Sequence, residues 1–137
     1  MNSHKTAITR TKMSAPVKFL KGQGLLQGRT LDYGCGKGFD ADALQCYKYD
    51  PHFSPELPKG KFDTIICNYV LNVIESEVVR LWTLEQIRLL LKPRGTAYIA
   101  VRRDIKQDTK TQFVIDLPWL NVVKQVSGSY CIYEMNS

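Results

Sequence analysis

Histidine is almost missing from this chain: His4 and His52 are the only two in 137 residues. The four cysteines, Cys35, Cys46, Cys67 and Cys131, stand singly, with no C-x-x-C pair. Zinc needs clusters of such ligands at short spacing, so no metal site is expected. No apolar run reaches the roughly 20 residues of a membrane helix, and no secretory leader is visible. The expectation is a soluble cytoplasmic protein, away from membranes, whose thiols stay reduced and unpaired. Internal repeats and low-complexity stretches are also missing.

Lys and Arg number 19 against 13 Asp and Glu, a formal net charge of +6. A basic balance favours an acidic partner, nucleic acid above all, although solubility alone also accounts for it. The length fits one domain with one core and leaves little room for a separate substrate domain. Residues 1–13 are polar and basic, with His4, Lys5, Arg10 and Lys12, and read as a flexible arm. Residues 14–137 then form the domain.

The most informative stretch is Leu31-Asp32-Tyr33-Gly34-Cys35-Gly36-Lys37-Gly38. Glycines at alternate positions allow a turn that side chains would forbid, and let a ligand approach bare backbone. A strand, such a turn and a helix together present N–H groups and a positive helix end. The dinucleotide fingerprint G-x-G-x-x-G does not fit, because Gly38 arrives one residue early. The segment closely resembles the cofactor loop of the Rossmann-like, class I methyltransferases that use S-adenosylmethionine (SAM). The resemblance runs from about Thr6 to Arg103. Within it, residues 6–10, the glycine loop, Tyr49-Asp50-Pro51 and residues 69–75 are also similar to methyltransferases associated with DNA phosphorothioation. That likeness implies a bacterial or phage enzyme.

The pattern along the chain agrees with an α/β fold. Ser14 followed by Pro16 starts a helix that Gly22 and Gly24 end. Strands are expected at 29–33, 46–50 and 62–69, with a two-turn helix at 39–45. Three prolines and a glycine between Pro51 and Gly60 exclude a regular element there. Ser76 caps a helix to about Leu91, whose Val78, Leu81, Trp82, Leu84, Ile87, Leu90 and Leu91 recur near a 3.6 period. Pro93-Arg94-Gly95 stops it. Strands follow at 96–101, 112–117 and 130–135, with a turn or short helix at 118–126. Alternating strands and helices predict a doubly wound, mostly parallel Rossmann-like sheet. The resemblance implies one more strand-helix unit than the eleven residues between Asp50 and Phe62 can hold, so the fold is expected to be a shortened form.

Candidate site residues follow from the ends of these strands. Asp50, 18 residues after Asp32, closes the second strand, where an acid accepts hydrogen bonds from ribose hydroxyls. Pro51 and Phe53 come next and are expected to wall the adenine; a core Phe53 is the alternative. Asp32, Gly34, Cys35 and Gly36 complete the cofactor set, with the resemblance placing Asp32 towards the methionine end. Asp40 is read as satisfying the helix dipole. Asn68 and Tyr69 leave the buried strand where a methyl group would be handed over, and are the catalytic candidates; Asn68 also counts towards the cofactor. Family members acting on DNA amines often show N-P-P-Y or D-P-P-Y here, and this chain keeps Asn68 and Tyr69 without the prolines. Asn72 is read as a cap of the next turn and as a weaker site candidate. Arg10, Tyr69, Arg102 and Arg103 are expected to hold the acceptor. Sulfonium methyl transfer needs alignment and exclusion of water but no metal.

Several functions stay open on the sequence: methylation of a nucleic-acid base or of a small molecule with S-adenosylhomocysteine as product, a SAM-binding module or partner subunit without turnover, and a SAM-degrading enzyme. The sheet edge left by the missing unit would give the chain a reason to dimerise.

Overall fold

The computed structural model describes residues 12–137; Arg10 and most of the N-terminal arm lie outside the described residues. Six strands form one sheet: β1 Thr30–Tyr33, β2 Tyr47–Tyr49, β3 Phe62–Asn68, β4 Leu91–Arg102, β5 Asn121–Val126 and β6 Tyr130–Asn136. Their order is β2-β1-β3-β4-β6-β5. The first four run parallel, with Leu31 level with Tyr47 and Ile65 and Cys67 level with Ile99. β6 then pairs antiparallel with both β4 and β5. The helices are α1 Ala15–Gly22, α2 Phe39–Leu44 and α3 Glu77–Leu89, with a 3-10 turn at Leu71–Val73. This is the α/β, mostly parallel sheet expected from the sequence.

β3 shows why the sheet is covered on both faces. Its Thr64, Ile65, Ile66 and Cys67 are all buried, which a strand with one wet face would not allow. On β4, Ala97, Ile99 and Val101 join a core with Leu84 and Ile87 of α3. The alternate residues Tyr98 and Ala100 join another core with Leu20 of α1. The period of two therefore separates an α3 face from an α1 face. Each fully buried Leu or Ile contributes roughly 1.5–3 kcal/mol.

The structure corrects several element readings. α3 ends at Leu89, and β4 begins at Leu91, so Pro93-Arg94-Gly95 lies inside the strand. The register jumps from Phe62↔Leu91 to Thr64↔Thr96, so the extra β4 residues bulge. A side chain at Gly95 would meet Lys92 O at 2.9 Å and Phe62 O at 3.0 Å, which makes glycine the residue that fits. Residues 112–117 form no strand, and β5 lies instead at Asn121–Val126, where a turn or short helix was expected. Its pattern is mostly exposed, as an edge strand permits, so it carries little hydrophobic signal.

The apolar face expected for α3 is only partly buried. Leu84 and Ile87 face the sheet, whereas Val78 is 76% and Trp82 58% exposed. α3 packs chiefly on β4, and it has more apolar positions than that packing covers. As expected, residues 51–61 hold no helix or named strand; an isolated bridge joins Asp50 and Ser54. β2 is consequently an edge strand.

Candidate functional site

At the carboxyl ends of β1, β2 and β3 lies a cavity of about 500 Å³. That volume falls within the roughly 300–1,000 Å³ typical of small-molecule sites, and this end of the strands is where open α/β sheets bind ligands. Of the candidate residues, Asp32, Gly34, Cys35, Gly36, Asp50, Pro51, Asn68, Tyr69 and Arg102 line it.

The glycine loop is built into the sheet more firmly than expected. The N–H groups of Gly34 and Cys35 donate to Tyr49 O at 2.7 and 3.0 Å, and Gly38 N–H donates to Cys35 O. Gly36 N–H donates to Asp50 Oδ2 at 3.0 Å. Three of these N–H groups therefore hold the loop against β2 and Asp50, and that of Gly38 closes the loop on itself, rather than facing a ligand. Gly34 has φ +81°, and a side chain there would reach within 2.4 Å of Val70 Cγ2. Only glycine combines that backbone angle with that approach.

Asp50 is 9% exposed. Besides Gly36, its carboxylate accepts from the N–H groups of His52 and Phe53, at 2.9 and 3.1 Å. A carboxylate has about four acceptor positions, so three are occupied and one remains. This turn carries Phe53 outward. Its ring lies edge-on to His52, 36% of it is exposed, and it does not line the cavity. Phe53 thus stands outside the lining, which Pro51, Tyr33, Tyr49 and Val70 share.

Three acids converge here. Asp32, Asp40 and Asp50 are all buried cavity-lining residues. Asp32 is pushed up to about 8, first by loss of hydration and then by repulsion from Asp40 and Asp50. Burial likewise pushes the Cys35 thiol up to about 11, which leaves it a poor nucleophile at neutral pH.

Ser14 and Asp40 take roles the sequence did not reveal. Ser14 stands at the N-cap of α1, but its side chain makes no capping bond. Its N–H and Oγ both donate to Asp40, at 2.9 and 2.7 Å. Ser14 Oγ in turn accepts from Asn68 Nδ2 at 2.9 Å. Asp40 is therefore an anchor for α1 and not merely a dipole partner. The chain Asn68–Ser14–Asp40 fixes the Asn68 amide, whose Oδ1 is buried with no partner among the described residues. A buried acceptor left without a donor is costly unless a ligand supplies one.

Tyr69 follows with φ +60°, a left-handed angle that non-glycine residues seldom adopt. Its N–H donates to Ala100 O at 2.9 Å, which holds that angle at the strand end. Backbone strain of this kind concentrates at functional sites.

Asn72 caps nothing by its side chain. It is 1% exposed, its Nδ2 donates to Gln112 Oε1 at 2.8 Å, and Phe113 N–H donates to its backbone oxygen. Its Oδ1 is also buried without a partner among the described residues. Asn72, Gln112, Trp82 and Thr83 line the cavity; Asn72 was only a weaker candidate on sequence grounds and the other three were none. Asn72 lay within reach of that reading, through the segment after β3. Gln112, on a long irregular connection, gave no signal.

The two arginines part company. Arg102 lines the cavity but is paired through both Nε and Nη2 with Asp104. Arg103 turns away: its Nη1 donates to Ile115 O and its Nη2 to Tyr133 Oη, each at 2.6 Å. Tyr133 Oη donates to Asp116 and accepts from Leu117 N–H. Arg103 thus ties the 115–117 segment to β6 and lies outside the cavity lining, away from the place expected of an acceptor-holding residue. Among the described residues no His, Cys, Asp and Glu cluster could hold a metal, and no helix is long and apolar enough to cross a membrane.

Comparison with known proteins agrees with this architecture. No curated protein matches the chain at a significant level. Among solved structures, one reported for the conversion of a disulfide bond into a thioacetal group during echinomycin biosynthesis matches with TM-score 0.60 at 16% identity. The match covers 89% of this chain and 81% of that one. A SAM-dependent methyltransferase from Clostridium acetobutylicum ATCC 824 matches with TM-score 0.57 at 12% identity, over 87% of each chain. The glycopeptide N-methyltransferase MtfA, in complex with S-adenosylhomocysteine, matches with TM-score 0.50 at 10% identity, over 95% of this chain and 62% of that one. At such identities the likeness is one of fold. The sequence model of the methyltransferase domain matches residues 6–125. A parallel sheet with its cavity at the glycine loop, and a family match over most of its length, lead to one conclusion: this chain belongs to the methyltransferase-domain family.

Proposed function

We propose that this cavity binds SAM and that the chain transfers its methyl group to a small acceptor. The observation that carries this reading is the lining itself: three buried acids beside the amide oxygen of Asn68, which has no partner among the described residues, in a single cavity. Such a set suits a ligand that brings positive charge and N–H donors, and SAM carries a sulfonium and an ammonium. Asp32, Asp40 and Asn68 would hold the charged amino-acid end. Asp50 would accept a single hydrogen bond from the ribose through its remaining acceptor position, and Pro51 with Gly34, Cys35 and Gly36 would bound the nucleoside. When bound, the cofactor supplies a methyl group on positively charged sulfur, open to in-line displacement by an electron pair of the acceptor. The protein aligns the partners and excludes water. Tyr69, held at its strained angle, and Asn68 border the transfer point.

The acceptor reading follows from the internal engagement of the two arginines expected to hold it. Arg102 is neutralised by Asp104 and Arg103 is engaged internally, so neither stands ready for phosphate. This favours a small uncharged acceptor. A nucleic-acid base is the second reading, favoured by the net charge of +6, by the basic arm 1–13 with Arg10, and by the likeness to phosphorothioation-associated methyltransferases. Strongly salt-dependent binding of DNA or RNA would support it. In either case residues 14–137 act as one domain, in a cytoplasmic setting that keeps the four cysteines free.

Calorimetric titration with SAM and with S-adenosylhomocysteine, followed by chromatography of the mixture, tests the reading. Micromolar binding of both with SAM intact is expected. Absence of binding by either overturns it, and loss of SAM without an acceptor would mark a SAM-degrading enzyme instead.

A further inference from the structure

The cavity has lining residues that the cofactor reading leaves unused. Along the strand order β2-β1-β3-β4, Asp50 closes β2, the glycine loop follows β1, and Asn68 and Tyr69 follow β3. Asn72 and Gln112 lie further on, joining the 3-10 turn after β3 to the connection after β4. In the strand order the glycine loop and Asp50 thus belong to β1 and β2, whereas this amide pair follows β3 and β4, beyond Asn68 and Tyr69 in the chain.

The pair is a built feature. Asn72 is almost fully buried, and Phe113 N–H donates to its backbone oxygen at 2.8 Å. Gln112 is held by its own turn: its N–H donates to Thr109 Oγ1 at 3.0 Å and its carbonyl accepts from Thr109 N–H at 2.8 Å. The side chains share one hydrogen bond, from Asn72 Nδ2 to Gln112 Oε1. That leaves Asn72 Oδ1 as a buried acceptor without a partner among the described residues, and Gln112 with its amide N–H groups to donate. If both amides are turned over, Gln112 donates to Asn72, and the pair offers Nδ2 and Oε1 instead. One donor and one acceptor, side by side, remain in both arrangements. Val73, Ile74 and Trp82 supply an apolar wall around them.

We infer that the Asn72–Gln112 pair recognises the methyl acceptor, and that this acceptor carries a donor beside an acceptor on one flat edge. A carboxamide and an amino group next to a ring nitrogen share that chemistry. A flat group of this kind lies against Trp82 while its edge meets the two amides. The inference rests on the SAM reading above, since it assigns the glycine loop and Asp50 to the cofactor.

The test uses full-length protein saturated with S-adenosylhomocysteine, observed by ligand-detected NMR. Nicotinamide and cytidine are titrated beside blocked twins, methyl nicotinate and N4,N4-dimethylcytidine. The expected result is at least tenfold tighter binding of one N–H-bearing probe than of its twin. Nicotinamide as the tighter probe identifies a carboxamide, cytidine an aminated ring. Gln112→Glu keeps an acceptor for Asn72 Nδ2 but removes the donor, so the preference should vanish while S-adenosylhomocysteine binds as before. Equal binding of probe and twin, no binding of any probe at millimolar concentration, or an unchanged preference in Gln112→Glu overturns the inference. So does a Gln112→Glu protein that loses S-adenosylhomocysteine affinity, because the pair would then serve the cofactor. Failure of S-adenosylhomocysteine to bind the wild-type protein defeats the cofactor reading itself, and this inference with it.

Discussion

Ser14 Oγ lies 2.7 Å from Asp40 Oδ2, joining the first residue before α1 to the first turn of α2 across 26 positions of sequence. The same hydroxyl accepts from Asn68, so one small side chain sets the position of two cavity-lining groups.

Ser14→Ala removes that hydroxyl and leaves Asn68 Nδ2 without its acceptor. The expected cost is about 1–3 kcal/mol in denaturant unfolding, the range for a buried polar group left unsatisfied. Because Asn68 is then free to turn, turnover should fall in Ser14→Ala as well as in Asn68→Ala, with Asn68→Ala still folded. Full activity in both variants would remove Asn68 from the transfer point.

Asp50→Ala should weaken SAM binding by about 1–3 kcal/mol through loss of a charge-assisted hydrogen bond. It also withdraws the acceptor of Gly36 N–H. Asp50→Asn, which keeps one acceptor oxygen, should lose less. Calorimetry on both variants checks the order; a folded Asp50→Ala protein with wild-type affinity sinks the ribose assignment.

Asp32 makes stability depend on pH in a stated direction. Its folded value is pushed up to about 8, from 3.8 for a free carboxyl. Between these values the native chain holds a proton that the unfolded chain has released. Stability contributed by this group is therefore full below about pH 4 and declines as pH rises towards 8. Asp32→Asn should flatten that decline, so urea midpoints of the two proteins should converge at low pH and separate at high pH, with the variant the more stable. A cation bound beside Asp32 should oppose its protonation, so SAM binding near pH 7 should release a proton, read as a buffer-dependent enthalpy.

Gly34→Ala combines two penalties. A side chain at φ +81° costs roughly 1–2 kcal/mol on left-handed geometry alone. The contact with Val70 adds to it, and Val70→Ala in the same chain should restore that second part only. If Gly34→Ala melts like wild type, the loop has another accessible conformation.

Much of this was legible in the sequence where one local pattern decides the outcome. The glycine loop, the buried run of β3 and the Pro-rich connection after Asp50 all sit where their residue types place them. The reading failed where tertiary contacts chose. Ser14 has the chemistry of an N-cap, and only the fold brings Asp40 within its reach. Arg103 has the chemistry of an anion binder, but Tyr133 and the Ile115 carbonyl claim it first. The period of α3 was correct as a helix and misleading as a burial pattern, since Trp82 faces the cavity mouth and solvent. β5 escaped notice because an exposed edge needs no apolar alternation.

The three-residue β2 has a neighbour on one side only, yet it delivers Asp50 and accepts two loop N–H groups through Tyr49. Short edge strands open locally at a small fraction of the free energy of global unfolding. The proposed ribose end of the site is thus attached to an edge of the sheet that opens more readily than its centre. Ligand contact at Asp50 would oppose that opening, and amide hydrogen exchange across 34–36 and 47–50 should slow more on SAM binding than anywhere else in the sheet.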